Sequence, residues 1–270
     1  MAFFKQFPKI GYDFARNGIR QNIVDIYRNS TILPSTLDNA VTYRYYEIRN
    51  GERPDIVSQR LYGSSQYYWT FFVINDFLHD GLAAWPMSQE DLHMYMEQEY
   101  NGWVITTNPE IVRNTDQIII DFKNSIVGRF ELGEQMVGSI SGATGTLTKK
   151  NVDMNQLVIQ DTTGAFIGNP ALINTPTELV IGQTSEDSVS TYRTYRYIDA
   201  PYYYYDEGDL EKRPTDNGIF ILGGTPESNI DFVSNRDHLF EMNELRSKIR
   251  VIDPNFIDQF ADLYEASINA

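Results

Sequence analysis

The sequence predicts an α+β chain, in which a β-α-α unit is joined to an N-terminal arm, an inserted small β-barrel-like domain and C-terminal helices. Three observations lead to this prediction. Residues 40–100 combine an aromatic and β-branched run with helix start and stop signals. Residues 128–186 are dominated by Val, Ile, Thr and Gly, which favours short strands. Residues 237–268 repeat apolar side chains at three- and four-residue spacing, as amphipathic helices do.

The β-α-α unit follows from local signals. Residues 41–48 are rich in β-branched and aromatic side chains and predict a strand, which the turn dipeptide Asn50-Gly51 ends. Proline favours the first position of a helix, glycine its C-terminal stop, and serine its N-cap. These signals predict three helices: Pro54 to the stop at Gly63, Gln66 to Asp76, and Ser88 to about Tyr100.

The arm and the insert differ sharply in composition. Five aromatic residues fall within the first 14 positions, so the arm is expected to pack on something, and residues 19–27 are expected to form one or two helical turns. Predicted strands of the insert are 134–140, 145–148, 156–160 and 178–182. The predicted divisions are the arm 1–39, the β-α-α domain 40–108, a connector 109–127, the inserted β-domain 128–186, and a tyrosine-rich segment with C-terminal helices 187–270.

Two C-terminal helices are predicted, over 237–249 and 254–268. Their apolar stripes are expected to dock onto partner chains or onto the β-α-α domain, because helices this short are marginal in water. The docking residues are Leu239, Met242, Leu245, Ile249, Phe256, Phe260 and Leu263. A chain truncated after Ser234 is expected to keep a soluble β-α-α core.

The composition limits the classes of partner that are expected. A formal charge of −15 repels nucleic-acid phosphates and anionic membranes, so neither is expected as a partner. The absence of cysteine excludes disulfides, thiolate metal sites and cysteine nucleophiles, and fits folding in a reducing cytoplasm. The first seven residues lack the apolar run of a signal peptide, and no window approaches 18 uninterrupted apolar residues, so no membrane span is expected.

The sequence lacks the motifs that are typical of catalytic and metal-binding sites. The three histidines form no His-x-His or His-x-x-x-His pair, and neither a nucleophile elbow nor a P-loop is present. The small polar run 139–145 fits a β-turn better than a phosphate loop, since no Lys-Ser/Thr follows it. Residues 202–205, four consecutive tyrosines, fit an edge strand packed on protein better than a sugar platform. No enzyme, metal or cofactor is therefore predicted.

A family resemblance lies in residues 43–90. The ordered motifs are Tyr45-Tyr46-Glu47-Ile48, Gly51-Glu52-Arg53-Pro54-Asp55, Leu61-Tyr62-Gly63, Tyr67-Tyr68-Trp69 and Asn75-Asp76. Together they resemble a LysM domain and, more closely, the LysM-like domain of baseplate wedge proteins from contractile-tailed, myovirus-type bacteriophages. Further stretches similar to that family are 25–29, 81–85, 88–90, 205–209 and 243–252, so the resemblance spans most of the chain outside about 110–186.

Two departures from the family pattern matter. The β-rich insert is foreign to the family's simplest members. Glycan-binding LysM domains usually close with a strand, whereas Trp85-Pro86-Met87 leads here into a predicted helix. The second departure weakens any expectation of peptidoglycan binding.

The resemblance implies a non-enzymatic structural subunit of the tail baseplate wedge, joining neighbouring wedges around the hub during assembly in the host cytoplasm. Implied partners are other wedge proteins, including those of neighbouring wedges, and sheath-initiating baseplate proteins. The residues expected to form the fold or the interface of the LysM-like domain are Tyr45, Tyr46, Arg53, Tyr62, Tyr67, Tyr68 and Trp69. The alternative is a peptidoglycan-binding LysM module of a tail or lysin protein. A tail-associated muramidase would need two suitably spaced carboxylates, and no convincing pair is found.

Overall fold

The computed structural model describes residues 7–25, 43–107, 111–114, 117–120, 126–168, 178–210 and 230–269. The strands in these ranges are β1 (Lys9–Tyr12), β2 (Gln21–Val24), β3 (Tyr43–Glu47), β4 (Trp103–Thr106), β5 (Ile111–Asn114), β6 (Gln117–Ile120), β7 (Gln135–Gly138), β8 (Thr144–Asn151), β9 (Gln156–Thr163), β10 (Leu179–Gly182), β11 (Ser188–Ser190), β12 (Arg193–Arg196), β13 (Pro201–Asp206), β14 (Ile230–Ser234) and β15 (Lys248–Ile252). The helices are α1 (Pro54–Tyr62), α2 (Trp69–Ile74), α3 (Gln89–Glu99), α4 (Asn235–Ser247) and α5 (Ile257–Asn269). The fold is α+β, as predicted.

The chain divides into two compact units. Unit 1 comprises residues 1–92 and 241–270, and unit 2 comprises residues 93–240. Both ends of the sequence therefore belong to unit 1. The predicted arm beyond residue 25 and the start of the predicted strand at 41–42 lie outside the described residues.

Unit 1 is built around an antiparallel ribbon of β3 and β15, in which Tyr46 lies opposite Ile249. Asn75 ties this ribbon to α2. Its side chain donates to the carbonyl of Arg250 (3.0 Å) and accepts from the N–H of the same residue (2.8 Å), so the amide pairs with β15 as a neighbouring strand would. Below the ribbon, the first core consists of Ile48, Val57, Phe71, Leu78, Ala84, Trp85, Ile249 and Val251.

A second core of unit 1 joins α5 to α2. Trp69 is 8% exposed and packs on Tyr264 and Phe260, at ring-centroid distances of 5.0 and 6.2 Å. The remaining buried members of this core are Phe7, Ile74, Ile252, Ile257 and Ile268. Segments from the two ends of the sequence thus complete one apolar cluster.

Several predicted boundaries of unit 1 are wrong. The helix predicted to reach residue 249 ends at Ser247, because residues 248–252 alternate Ile and Val with charged residues and pair with β3. The predicted helix 66–76 is a 3₁₀ turn at Ser65–Tyr67 followed by the shorter α2. Within residues 19–27, the part described contains strand β2 rather than helical turns, because it pairs with β1.

Unit 2 contains a curled seven-stranded sheet that forms half a barrel. The strand order is β11-β10-β7-β8-β9-β4-β12, and all neighbours are antiparallel. This sheet extends beyond the predicted insert at 128–186, because it also includes β4 and β12 at one edge and β11 at the other. Its core is mainly aliphatic: Ile105, Ile126, Phe130, Met136, Ala143, Leu147, Leu157, Ile159, Phe166, Val180 and Val189.

Two buried glutamates fix the turns of unit 2 reciprocally. Glu134 is 5% exposed and accepts from the N–H groups of Thr184 and Ser185, both at 3.1 Å. Glu178 is fully buried and accepts from the N–H groups of Ile140 (3.0 Å) and Ser141 (2.6 Å). Each carboxylate therefore holds the turn that follows the other glutamate's strand.

This reciprocal arrangement rests on a repeated sequence pattern. Each glutamate is followed four residues later by a glycine, Gly138 or Gly182, and seven residues later by a serine. A Cβ on either glycine would lie within about 2.5 Å of the opposite carboxylate, so only glycine leaves room for it. Because β7 and β10 pair antiparallel, the two copies face each other across an approximate twofold axis.

Candidate assembly surfaces

Most of the predicted LysM-like residues build unit 1 itself. Tyr62 and Tyr68 are half-buried and pack against both cores, while Trp69 belongs to the second core. Burial raises the pKa of Tyr62 well above its ordinary value. The Tyr67 hydroxyl donates to the carboxylate of Asp258 on α5, which also raises the pKa of Tyr67. These four residues hold the helices together.

Tyr46 belongs to a polar network around a buried carboxylate. Its hydroxyl donates to Glu52 (2.7 Å), and Arg60 forms an ion pair with the same carboxylate. Glu52 also accepts from the N–H of Arg49 (3.1 Å), and its backbone carbonyl accepts from the Trp85 indole (2.8 Å). Burial, followed by the bond to Glu52, raises the pKa of Tyr46. The network fixes the turn between β3 and α1.

Tyr45 and Arg53 are the two predicted residues that lie open. The Tyr45 side chain is 73% exposed on the outer face of the ribbon, with its ring edge-on to Tyr43 at 5.8 Å. The guanidinium of Arg250 lies 5.5 Å over the Tyr43 ring. Arg53 precedes α1 and forms an exposed ion pair with Asp55. This outer face combines aromatic rings with cationic side chains, a composition enriched at protein interfaces.

The predicted docking residues near the C-terminus divide by exposure. Ile249 and Phe260 are buried inside unit 1, and Phe256, in the turn before α5, is half-buried. Leu239 and Met242 on α4 are also half-buried. Leu245 and Leu263, at 56% and 57% exposed, are the predicted docking residues that lie open.

The buried face of the last helix therefore differs from the predicted stripe, and docking through Leu263 remains a prediction. Leu263 lies on the outer side of α5, whereas the packed side carries Ile257, Phe260, Tyr264 and Ile268. These four follow the three- and four-residue spacing of one helix face. The sequence interpretation chose Leu263 over its neighbour Tyr264, although tyrosine buries more apolar area.

Unit 2 carries a groove of about 580 Å³. Its wall includes the half-buried rings of Tyr100 and Trp103 and the cationic side chains of Arg196 and Arg236. Arg236 is held by Asp199 at 2.8 Å, whereas Arg196 is exposed. Burial raises the pKa of Tyr100 to about 12, so its hydroxyl stays protonated at neutral pH. The groove offers stacking surfaces and hydrogen-bond donors to a polar chain segment.

The hairpin of β1 and β2 is attached to unit 1 at its base. Phe7, just before β1, is 6% exposed and lies in the second core, and Val24 packs against the same core. The N–H of Asp25 donates to the carbonyl of Pro8 at 2.8 Å, closing the base. The expectation that the arm packs on something holds for Phe7.

The tip of the hairpin is organised by its own hydrogen bonds. Asp13 accepts from the N–H groups of Asn17 (3.2 Å) and Gly18 (2.6 Å), and Asn17 accepts from the N–H of Ile19 (3.0 Å). Apolar side chains nevertheless point to solvent along this element: Ile10, Tyr12, Phe14 and Ile19 are 40%, 51%, 64% and 68% exposed. Sequence reasoning noted the aromatic residues but had no signal for this tip geometry.

Across the described parts of the chain, no group of three or more His, Asp or Glu side chains is placed to hold a metal ion. None of the helices described is both long and apolar enough to cross a bilayer.

The N-terminal part of the chain matches a known protein family. Residues 1–126 are similar to the family described as base plate wedge protein 53. No curated protein matches the chain. The matched range contains the hairpin and every element from β3 to β6, and it ends before β7. The match supports a structural role in a bacteriophage tail baseplate, and hence a location in the virion tail.

Proposed function

We propose that the chain is a non-enzymatic structural subunit of the baseplate wedge of a contractile-tailed phage, and that it joins neighbouring wedges around the hub. The observation that carries the proposal is the match of residues 1–126 to the baseplate wedge family. That range contains the hairpin and the β3-α1-α2 segment, whose motifs carry the resemblance described above. Assembly in the host cytoplasm is part of the proposal.

The LysM-like character of unit 1 is supported by what its motif residues do. Gly63 ends α1 in the left-handed conformation (φ 69°), which favours glycine. Asn75 ends α2 and binds β15 through its side-chain amide. Trp69, the first residue of α2, packs its ring on Phe260 and Tyr264 of α5. Motif residues with structural roles fit a domain used as a scaffold.

The partners proposed are other wedge proteins, including those of neighbouring wedges, and sheath-initiating baseplate proteins. Tyr45, Arg53, Leu245 and Leu263 support such contacts because their side chains are open to solvent. Covering a leucine fully is worth about 1.5–3 kcal/mol. A few such anchors, surrounded by charged residues, suffice for a specific interface.

Reconstitution of the wedge ring tests this function. Wedges purified without this subunit are expected to remain separate, and adding the purified chain is expected to join them into closed rings. Analytical ultracentrifugation distinguishes the two states by size. Ring closure without the chain, or failure of the chain to sediment with wedges, would contradict the proposal.

A peptidoglycan pull-down provides an independent check on the assignment. The chain is expected to stay in the supernatant when purified peptidoglycan is pelleted, because Trp85-Pro86-Met87 is followed by α3 rather than by a closing strand. Saturable binding at micromolar concentration, measured with soluble muropeptides, would favour a cell-wall-binding module instead.

A further inference from the structure

We propose that the hairpin tip is a docking element that inserts Phe14 and Ile19 into an apolar pocket on an acidic surface of another wedge protein. The inference rests on the proposed baseplate function and goes beyond it, because it names the element and the chemistry of its partner. Four observations carry it: the exposure, order, charge and attachment of the hairpin.

Exposure sets the tip apart from an ordinary surface turn. Phe14 and Ile19 are 64% and 68% exposed and lie in one short loop, with Tyr12 packed edge-on against Phe14 at 4.9 Å. Contiguous exposed apolar side chains mark interaction sites. A two-stranded hairpin is also marginal in water without further cover. A pocket that covers the tip removes both penalties.

The tip is ordered before any partner binds. Asp13 and Asn17 satisfy three backbone N–H groups of the loop, and Gly18 takes a positive φ of 84° that a glycine adopts without strain. Phe14 adds a rigid ring with few rotamers. Little conformational entropy is therefore lost on docking, which leaves more of the hydrophobic gain as affinity.

The formal charge of the hairpin indicates the kind of partner surface that it fits. Residues 9–24 contain Lys9, Arg16 and Arg20 against the single anionic side chain of Asp13, which gives a formal charge of +2, whereas the whole chain carries −15. A basic element on an acidic chain fits an acidic protein surface. Nucleic acid and anionic lipid carry extended negative charge that would repel the rest of the chain, whereas an acidic patch on a protein can be limited to the tip, so a protein is the better occupant.

The packing of the hairpin base in unit 1 transmits force from the tip to the core of that unit. Phe7 and Val24, at the two ends of the hairpin, pack in the same core as Trp69 and Phe260. Docking of the tip therefore fixes unit 1 on its neighbour through a buried aromatic cluster rather than through a free tail.

The test uses the full chain and purified wedges that lack it, with affinity measured by sedimentation. Phe14→Ala is expected to weaken binding at least tenfold, and Arg16→Glu with Arg20→Glu is expected to weaken it further and flatten its dependence on NaCl. The matched controls are Leu132→Ala, at 63% exposed, and Lys149→Glu with Lys248→Glu, two exposed lysines whose replacement changes the charge equally. Both controls are expected to stay within twofold of the unmodified chain.

The outcomes separate this inference from the function it rests on. If the unmodified chain binds wedges and the tip variants bind equally well, the docking inference fails and the baseplate function stands. If the unmodified chain does not bind wedges, the function itself fails, and the docking inference fails with it. Two further results would also overturn the inference: a dimer of the chain alone that Phe14→Ala dissociates, or tip-dependent binding to anionic vesicles. Circular dichroism of each variant verifies that the fold is kept.

Discussion

The two units stabilise their folds with different chemistry. Unit 1 is held by aromatic side chains that meet from distant parts of the sequence: Tyr67 and Asp258, for example, are bonded across 191 residues. Unit 2 is held by an aliphatic sheet in which two carboxylates, Glu134 and Glu178, close each other's turns. The comparison teaches that stability in unit 1 depends most on the C-terminal segment, whereas stability in unit 2 depends on two buried carboxylates that bind backbone N–H groups.

Removal of the C-terminal segment should have the largest effect. Truncation after Ser247 deletes β15 and α5, including seven buried residues of the two cores: Ile249, Val251, Ile252, Ile257, Phe260, Tyr264 and Ile268. At about 1.5–3 kcal/mol for each buried side chain, the loss is about 10–21 kcal/mol, which is comparable with or greater than the roughly 5–15 kcal/mol stability of a typical domain. Unit 1 is therefore expected to unfold, which reverses the sequence-based expectation for a chain ending at Ser234.

Calorimetry of the truncated chain measures this effect. The unit 2 transition is expected to remain, because β4 and β7 to β12 are intact. A melting profile that still showed a cooperative unit 1 transition would mean that β3, α1 and α2 fold without β15.

A single aromatic truncation should have the next largest effect. Phe260→Ala is expected to lower the free energy of unfolding of unit 1 by about 3–5 kcal/mol, because the ring is buried against Trp69. Leu263→Ala is the matched control on the same helix. It is expected to change stability by less than about 0.5 kcal/mol, because Leu263 is exposed. Urea titration followed by tryptophan fluorescence compares them; equal effects would contradict the assigned packed face.

Acid should lower the stability of unit 2. Burial alone would raise the pKa of Glu178 and Glu134, but the backbone and serine donors outweigh it, so both pKa values lie below the ordinary one. Groups with a depressed native pKa contribute stability above the unfolded-state value, and this stability is lost as the pH falls through the native value. Unit 2 is therefore expected to lose stability below about pH 5, near the ordinary glutamate pKa.

Glu178→Gln tests the source of this acid response. The variant is expected to lose about 2–3 kcal/mol at pH 7, since charge-assisted hydrogen bonds to a buried carboxylate are replaced by neutral ones. Its stability is then expected to fall less steeply between pH 5 and pH 3 than that of the unmodified chain, over the window in which about one proton would otherwise bind. The exposed Glu131→Gln is the control. An unchanged pH profile would locate the acid response in other groups.

The smallest expected effect concerns the bond between α2 and α5. Tyr67→Phe removes the hydroxyl that donates to Asp258 and is expected to cost unit 1 about 0.5–1.5 kcal/mol. Tyr45→Phe removes a hydroxyl from a ring that is 73% exposed and is expected to cost nothing measurable. A cost equal for both variants, in the same urea titration, would show that the bond to Asp258 adds no stability.

Local signals predicted the elements whose ends are set by single residues. The strand near Tyr45 and the helix between Pro54 and Gly63 lie close to their predicted positions. The turn dipeptide, the proline in the first turn of the helix and the glycine at its end each act within a few residues. Strands β7, β8, β9 and β10 overlap the four predicted for the insert. The predicted domain limits and contact residues remain predictions.

Long-range pairing accounts for most errors. Leu245, Ile249 and Ile252 have helical spacing, and only β3, some 200 residues earlier, makes residues 248–252 a strand. The buried glutamates had a usable signal, because the pattern of Glu, Gly four residues later and Ser seven residues later occurs at both Glu134 and Glu178. The order of the hairpin tip had no usable sequence signal, since the Asp13 carboxylate accepts from backbone N–H groups four and five residues away.

The reciprocal glutamates also have a kinetic consequence. Glu134 and Glu178 bind turns that lie 37 to 51 residues away, so neither set of bonds can form until β7 and β10 have met. We expect these bonds, which need both turns in their final geometry, to form after the folding transition state and so to have φ-values near zero. Substitutions at either glutamate should then accelerate unfolding while leaving the folding rate nearly unchanged. In the baseplate role proposed above, where a protein folds once and persists inside a particle, slow unfolding matters more than equilibrium stability.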